Sequence, residues 1–558
     1  MRPWLPAICL CFLARALFYC AALPLWEGYD EWAHFAVVER MAFRGELLVS
    51  RDAPVSRAVA ASLEFAPVPW ECRYLPAPSQ THDAFWRLPA DERAQRESQF
   101  WAIPRAAALQ DGPGNLAAYE GLQGPLYYWL TAPVLLAARS FDLATRVLLL
   151  RFFGVALASL VIPLSFLIAR PVFGYDAVAL GCAAIVAVMP EFLIDIARVG
   201  NDSLALLLFT LVIWLSLEIL NRGLTPGRAI QLGAALGLGL LAKAYFLAAV
   251  PPVAALLIWK CRRPRALLVP LIAFAVAGWW YIRNLLTTGT LTGMWESARL
   301  PHTSLASQLQ QILHIPWLVA IDSILLSHLY FGAWSSLTVR SWMYHLLYAL
   351  IALAAIGLCL SARPTPRPPT PGPRPLLAAF FLTFWIGQLY HVIPMFTLWG
   401  VPTSMGCYLY AVVSAEVLLC VAGLRALAPR PARRFVAPAG VFLFALLDLY
   451  TIHMLAIPYY TGLIAHRPNG PVASFHPGTA ALSEIVPRLA AFKSPLLSVP
   501  VLAALWIAYV FATLALIAIS FWISRTPLLL PSRTAEASPE IAASGPTLPA
   551  PPPPTAAH

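Results

Sequence analysis

The chain has 558 residues, of which 59% are hydrophobic and 12% are charged, and its mean hydropathy is +0.70. Soluble domains carry about 25% charged residues, so this composition excludes a soluble globular protein and a disordered one. The net charge of +11 indicates basic cytoplasmic loops of a membrane protein and not a nucleic-acid partner. The nine cysteines form no Cys-x-x-Cys pair, which disfavours disulfide and zinc sites.

A transmembrane helix needs about 20 mostly apolar residues, and about twelve stretches of the chain approach that length. The sequence therefore predicts an all-α polytopic membrane protein whose two termini lie on the same side. The first stretch carries Arg15 inside its apolar run, so it is interpreted as a retained helix and not as a cleaved signal peptide. The predicted spans are 5–25, 147–169, 175–193, 201–220, 228–242, 244–260, 266–286, 341–361, 375–396, 404–425, 435–456 and 498–524.

Charge placement decides whether one further apolar stretch, 125–138, also crosses. If it crosses, most basic loops move to the exterior, against the positive-inside rule. We therefore predict an interfacial or re-entrant helix there, and both termini in the cytoplasm. The predicted organisation is a first transmembrane helix 1–25, an external loop 26–140, transmembrane helices 141–286, an external loop 287–340, C-terminal transmembrane helices 341–525 with an external loop 457–497, and a disordered Pro-rich cytoplasmic tail 526–558.

The first candidate site follows the first span directly, where Asp30, Glu31 and His34 lie at the mouth of an apolar bundle. Burial on one side raises the pKa of a carboxyl group toward the range useful for a general base. If the segment is helical, Asp30 and His34 share a face. The alternative is structural, with Asp30 as the N-cap of an interfacial helix. The residues alone leave both interpretations open.

The first long loop closes with a second polar group, Glu120 and Gln123, just before Pro125 and three aromatic residues that include Tyr127. The aromatic residues are typical of a membrane-interface belt. Glu120 and Gln123 need another explanation, and a polar ligand would be held there.

Two further exterior turns carry polar residues beside apolar spans. Asn201 and Asp202 either cap the next helix or bind a ligand. Lys243 lies between two apolar runs and either snorkels to the interface or faces an anionic phosphate. Arg283 and Asn284 end the seventh span, where the arginine is either an interface anchor or a bidentate phosphate ligand.

Taken together, these motifs resemble the GT-C superfamily of integral-membrane glycosyltransferases. The segments that carry the resemblance are YDEWAHF (29–35), YEGLQGPLYYWL (119–130), PEFLIDIARVGNDSLA (190–205), GLLAK (239–243) and GWWYIRN (278–284). Within that superfamily the chain is similar to the bacterial branch related to protein O-mannosyltransferases and aminoarabinose transferases. The resemblance covers about residues 5–300, and it implies a GT-C-like bundle of about twelve helices with interfacial helices in the external loops.

The resemblance implies an inverting transferase that moves a sugar from a polyprenyl-phosphate donor to an acceptor hydroxyl on the periplasmic or extracellular face. By matched position, Asp30 is the general base, and Glu31 and His34 orient it or the acceptor. Glu120 matches an acidic position where some relatives are proposed to bind a metal, so a divalent metal is an open expectation. Lys243 and Arg283 match candidates for phosphate binding. The expected partners are the lipid-linked donor, a glycan, lipid or protein acceptor, and membrane lipids.

The chain also departs from the superfamily pattern. Gly124-Pro125 stands where many relatives have two prolines. Gly406-Cys407-Tyr408-Leu409 stands where they have Gly-Arg-Tyr-Leu, and the missing arginine leaves the donor's identity open. The alternatives are a twelve-helix transporter or lipid-linked glycan flippase, a polysaccharide polymerase or ligase, and a non-catalytic scaffold.

Overall fold

The computed structural model describes residues 3–75, 79–260, 264–294, 296, 299, 305–361, 372–468, 470–478 and 482–525. The predicted tail 526–558 lies outside the described residues.

The prediction of an all-α polytopic membrane protein is confirmed. Among the described residues, nine helices are long and apolar enough to cross a membrane. A tenth span is formed by two helices, Asp176–Val188 and Pro190–Ile196, that meet at an angle of 62°. These ten match ten of the twelve predicted spans. The nine are Trp4–Ala22, Leu143–Phe173, Asp202–Arg222, Pro264–Thr288, Ser341–Ser361, Pro373–Trp399, Gly406–Leu427, Arg433–Tyr460 and Val499–Arg525.

The other two predicted spans, 228–242 and 244–260, are helical but short. Pro226–Ala242 has 17 residues, and Ala244–Lys260 combines a 3₁₀ turn with a helix of 11 residues. Pro226–Ala242 nevertheless lies antiparallel to the preceding helix, Asp202–Arg222. The end of one meets the start of the other, where Asn201 Nδ2 donates to the Ala242 carbonyl at 3.2 Å. Pro226–Ala242 therefore returns along Asp202–Arg222 toward the end of the bundle where that helix begins. Pro226–Ala242 and Ala244–Lys260 are both shorter than the roughly 20 residues of a typical transmembrane helix.

Successive passes alternate between two ends of the bundle. The end that carries the long first loop, here named the loop end, contains Ala22, Asp202 and Gly406. The opposite end, here named the basic end, contains the termini of three spans at Arg222, Leu427 and Arg525.

The helix predicted over 125–138 is present as Leu126–Ala137, with 12 residues. At 1.5 Å per residue it is about 18 Å long, against the roughly 30 Å of a hydrocarbon core. It packs against Glu31–Arg44, the first helix of the long loop. Its length agrees with an interfacial position.

The remaining elements are short and belong mainly to the loops. The helices are Arg57–Phe65, His82–Phe85, Ala90–Trp101, Leu305–His314, Trp317–Leu329 and Leu482–Ala490, the 3₁₀ turns are Trp70–Tyr74, Arg105–Leu109, Tyr119–Leu122 and Ala333–Ser335, and a π-helical turn covers Thr451–Ala456. Two parallel strands, Pro67–Val68 and Gln80–Thr81, pair with Pro67 opposite Gln80.

Arg15, which interrupts the first apolar span, is fully buried and pairs with Asp448 at 2.6 Å. Its guanidinium also donates to the carbonyls of Ala187 and Val188, where the bent span breaks. Tyr509 donates to the same aspartate at 2.6 Å. Charges inside a membrane are costly unless they are paired, and this pair is satisfied on both sides. It joins the first span, the bent span and the last two spans.

Candidate functional site

Asp30 occupies the turn that joins the first span to helix Glu31–Arg44. Its backbone is left-handed, with φ of +54°, which is uncommon for a residue other than glycine. It is the N-cap residue, yet its side chain accepts no capping hydrogen bond from the helix. Instead, its carboxylate accepts a hydrogen bond from the hydroxyl of Tyr119. Asp30 therefore occupies the N-cap position, but its side chain does not cap the helix.

Gly28 shows how tightly this turn packs against the next exterior turn. A Cβ atom at Gly28 would lie 2.4 Å from Cβ of Arg198, so only glycine fits. Arg198 in turn donates to the Tyr29 carbonyl at 2.8 Å. The two turns, far apart in sequence, are held in one fixed arrangement.

Glu31 faces away from Asp30 and is fully buried. Arg151 donates to both of its carboxylate oxygens, at 2.7 and 2.6 Å, and the backbone N–H of Val199 donates at 2.9 Å. Every oxygen of Glu31 is thus engaged by the protein. The structure places this predicted catalytic residue in a structural ion pair that ties together the first span, the second span and the turn at Val199.

Among the described residues, the side chain of His34 forms no hydrogen bond with the Asp30 carboxylate, although the His34 main-chain N–H donates to the Asp30 carbonyl at 2.9 Å. Its Nδ1 lies 2.8 Å from the Tyr128 hydroxyl, and its Nε2 lies 3.7 Å from a carboxylate oxygen of Glu120. Tyr128 also donates to the Glu120 carbonyl at 3.3 Å. His34 therefore fixes the end of the long loop against the helix that begins at Asp30.

The second part of the site is an ion cluster at the start of span Asp202–Arg222. Lys243 donates to one carboxylate oxygen of Asp202, and Arg198 donates to the other. Arg198 also donates to Asp195 at 2.9 Å. All four side chains are buried. Two cations thus face two carboxylates, with Asp202 shared between the cations.

Two tyrosine rings cover Lys243. Its ammonium lies 4.8 Å from the ring centre of Tyr408 and 5.3 Å from that of Tyr245. Tyr408 comes from the Gly-Cys-Tyr-Leu segment at the start of span Gly406–Leu427. This segment therefore reaches the ion cluster in spite of lacking the arginine of the superfamily pattern.

Burial and neighbouring charges shift the pKa values of Asp30, Glu120 and His34. Burial raises the pKa of Asp30, and the Tyr119 hydrogen bond with the charges of Arg198 and Lys243 opposes that rise. Burial, followed by the negative charge of Asp30, raises the pKa of Glu120 to about 8. Burial lowers the pKa of His34 well below its usual value. At neutral pH Glu120 therefore holds its proton and His34 is neutral.

Three of the other predicted residues line the same region, and one of them, Gln123, forms a side-chain hydrogen bond with Glu120. Gln123 is half-buried and follows the turn that holds Glu120. Tyr127 is buried and packs edge-on against Tyr128, with ring centres 5.5 Å apart. Asn201 donates to the carbonyl of Ala242 and so holds the main chain just before Lys243.

Arg283 and Asn284 are not brought into this cluster by any hydrogen bond among the described residues. Arg283 lies over the ring of Trp280, 5.0 Å from its centre, and Asn284 Nδ2 donates to the Thr292 carbonyl at 3.1 Å. Both residues hold the end of their own span. The structure therefore gives the phosphate-binding interpretation of Arg283 no geometric support.

Gly124 explains one departure from the superfamily pattern. A Cβ atom there would lie 2.2 Å from the Leu241 carbonyl oxygen. The chain passes so close to the end of helix Pro226–Ala242 that a proline at this position would clash. The close approach brings the Glu120 turn and Lys243 together.

Sequence reasoning missed Tyr119, Tyr128, Asp195, Arg198 and Arg151 as site residues. Asp195, Arg198 and Asp202 are spaced by three and four residues, a signal for an ion-pair network that was available in the sequence. Arg151 lies inside an apolar span, where a charged residue indicates a buried partner. Tyr128 carried no such signal, because an interface belt explained it equally well, and no pattern in the sequence marked Tyr119.

Glu120 was the candidate metal ligand. Among the described residues, no three His, Cys, Asp or Glu side chains converge to hold a metal ion. His34 Nε2 lies 3.7 Å from a Glu120 carboxylate oxygen, while His34 Nδ1 contacts the Tyr128 hydroxyl. The divalent metal expected at Glu120 stays a prediction.

Comparison with known proteins gives distant structural similarity. A crystal structure of ArnT from Cupriavidus metallidurans in the apo state is 12% identical, with a TM-score of 0.43, over 91% of this chain and 75% of that one. A crystal structure of the same protein bound to undecaprenyl phosphate is 11% identical, with a TM-score of 0.40, over 93% of this chain and 76% of that one. No protein-family model matches the chain, and no curated protein matches it. At these values the likeness is too distant to assign a function.

Proposed function

We propose that the chain is a GT-C-type glycosyltransferase that moves a sugar from a polyprenyl-phosphate donor to an acceptor hydroxyl, with inversion at the anomeric carbon. One observation supports the proposal. The Asp30 carboxylate lies on a left-handed turn, does not cap the helix that follows, and is near the buried cations Arg198 and Lys243. A base next to cations is what a single displacement with an anionic leaving group requires. The sequence motifs supply the donor class.

In this proposal Asp30 takes the proton of the acceptor hydroxyl. The acceptor oxygen forms a bond to the anomeric carbon while the bond from that carbon to the phosphate oxygen breaks. Polyprenyl phosphate leaves with the electron pair of that bond. Because Tyr119 donates to Asp30, one oxygen of the carboxylate is fixed and the other remains to accept the proton.

Lys243 is the proposed cation for the departing phosphate. An ammonium has three N–H donors, of which one is directed at Asp202. Arg198 has the role of a positioning residue, because it holds Asp202 and the Tyr29 carbonyl and so aligns both halves of the site. Glu120, protonated at neutral pH, keeps a second negative charge away from Asp30 and from the donor phosphate.

The proposed orientation follows from charge. Basic residues collect at the end opposite Asp30, so the positive-inside rule places that end in the cytoplasm. Both termini are then cytoplasmic, and the site opens to the periplasm or exterior of a bacterial inner membrane.

Transport is the main alternative, and it predicts ionisable groups near the middle of the bilayer and symmetric halves of the chain. The buried pair Arg15 and Asp448 lies deep in the bundle, but its polar atoms are engaged by Tyr19, Tyr509 and main-chain carbonyls. This pair has the character of a structural contact. No observation favours a second function over the transferase.

The test is transfer by the purified full chain from a panel of radiolabelled undecaprenyl-phosphate sugars. The proposal expects label to leave one donor and appear in an acceptor from the bacterial envelope. Absence of transfer from every donor, together with donor movement across liposomes that contain the protein, would support a flippase. Polymeric product from an oligosaccharide donor would support the polymerase alternative.

A further inference from the structure

The basic end of the bundle holds a second cluster of charges that the proposed reaction does not use. Two adjoining cavities of about 460 and 600 Å³ open there, and both are bounded by Tyr175, Arg425 and Arg433. The arginines that line one or both of them are Arg374, Arg425, Arg430, Arg433 and Arg434.

These cavities are separate from the Asp30 site. Span Gly406–Leu427 connects the two regions. Near its start, the ring of Tyr408 contacts Lys243, and at its end Leu427 lines the smaller cavity. At about 1.5 Å per residue its 22 residues cover roughly 30 Å. The cavities therefore face the opposite membrane surface.

Within the part of the chain that the structure describes, no acidic side chain pairs with this cluster. Among the described residues, none of the five arginines forms an ion pair, and neither cavity is lined by an acidic side chain. The nearby acid Asp176 is paired with Arg170 at 2.9 Å. Arg425 donates to the main-chain carbonyl of Arg433 at 2.6 Å, and Arg433 donates to that of Ala428 at 3.1 Å. Neither bond cancels the charge of a guanidinium group. A guanidinium has five N–H donors, so most remain for a ligand.

The cavity walls are apolar where they continue into the membrane. The smaller cavity is bounded by Phe173, Leu360 and Leu427, and the larger one by Val178 and Pro438. A ligand that fits both features has an anionic head and an apolar body. Free phosphate would use the arginines alone and leave these walls in contact with water.

We propose that this cluster binds the phosphate group of an anionic glycerophospholipid from the adjacent leaflet, with its acyl chains along the apolar walls. Basic pockets between transmembrane helices are known to take such head groups, and arginine suits phosphate because its fork of donors is planar. The lipid phosphate joins the ends of three spans, Pro373–Trp399, Gly406–Leu427 and Arg433–Tyr460, whose arginines otherwise repel one another. This inference does not depend on the transferase proposal.

The test is native mass spectrometry of the purified full chain, delipidated and then titrated with phosphatidylglycerol, with phosphatidylcholine of the same acyl chains, and with inorganic phosphate. We expect one retained phosphatidylglycerol, which neither phosphatidylcholine nor millimolar phosphate displaces. The double variant Arg425→Gln/Arg433→Gln should bind it at least about tenfold more weakly. The matched control Arg170→Gln/Arg222→Gln removes the same charge at the same end from arginines that are paired with acids, and should bind as the wild type does.

A second measurement does not depend on the folding of variants. A photoactivatable phosphatidylglycerol, crosslinked to the wild-type chain in nanodiscs, should label the stretch 422–438. Equal retention of phosphatidylcholine, full displacement by inorganic phosphate, or labelling spread evenly over all membrane-facing helices would overturn the proposal.

Discussion

The hydroxyl of Tyr119 donates to the carboxylate of Asp30 across 89 residues of sequence. The contact joins the two ends of the long first loop, because Asp30 directly follows the first span and Tyr119 precedes the interfacial helix Leu126–Ala137. It fixes one oxygen of the proposed base. The contact is therefore the first place to test whether the loop is built to serve Asp30.

Replacing Tyr119 with Phe removes a hydrogen bond that lowers the pKa of Asp30. Without it the pKa of Asp30 rises, so a larger fraction is protonated at low pH and cannot act as a base. We expect the acid limb of the kcat/KM profile to move to higher pH, with activity at pH 6 about tenfold lower. The exposed Tyr74, changed to Phe, is the control. A profile that does not move in Tyr119→Phe would contradict the role given to this contact.

Glu120 gives the site a second pH dependence. Its pKa is raised to about 8 by burial and by the charge of Asp30, so it loses its proton as the pH rises through that value. The new negative charge would repel the donor phosphate, and we expect transfer to fall on the alkaline side with a midpoint near pH 8. Glu120→Gln keeps the neutral form at all pH values and should abolish the fall. An unchanged alkaline limb in Glu120→Gln would show that another group titrates.

Lys243 is expected to determine donor affinity. Lys243→Gln leaves Asp202 paired with Arg198 but removes the cation proposed to face the phosphate. Binding of undecaprenyl phosphate should weaken by about tenfold to a hundredfold, since hydrogen bonds to charged groups contribute roughly 1.5–3 kcal/mol. Lys260→Gln, at the basic end and exposed, provides the control for loss of one positive charge. Equal affinities in both variants would remove Lys243 from the donor site.

Glu31 should behave as a stability residue. Glu31→Gln leaves Arg151 buried without its charge partner, and breaking such a pair costs about 3–5 kcal/mol. We expect a lower thermal midpoint in detergent, and partial recovery when Arg151 is changed to Met in the same chain. If Glu31→Gln keeps the wild-type midpoint yet loses transfer, the residue belongs to the chemistry after all.

The sequence predicted the membrane class and ten of the spans because apolar length is a local property of the chain. It also placed five polar residues at one end of the bundle, because each lies in a segment between predicted apolar helices: Asp30, His34, Glu120, Asp202 and Lys243. Roles were harder to predict. Asp30 and Glu31 are adjacent, yet the left-handed turn at Asp30 sends one carboxylate to Tyr119 and the other to Arg151. Such a division depends on contacts between segments more than 80 residues apart, which no local pattern carries.

Asp448 and Glu416, for which the sequence identifies no partners, illustrate the same limit. Each is an acid within an apolar span, which indicates a buried partner without identifying it. The structure pairs Asp448 with Arg15 of the first span and Glu416 with His328, 2.9 Å away. The partners lie 433 and 88 residues distant in the chain. Only the packing of the helices determines them.

The most direct test of the central claim is transfer by purified Asp30→Asn against the wild type and Asp52→Asn. Asp52 is an exposed aspartate of the same loop, so its variant controls for loss of one negative charge. The amide keeps the shape of Asp30 but cannot accept a proton, and we predict a loss of about 10²- to 10⁴-fold in kcat with little change in donor binding. Transfer by Asp30→Asn at the wild-type rate would contradict the assignment of Asp30 as the base.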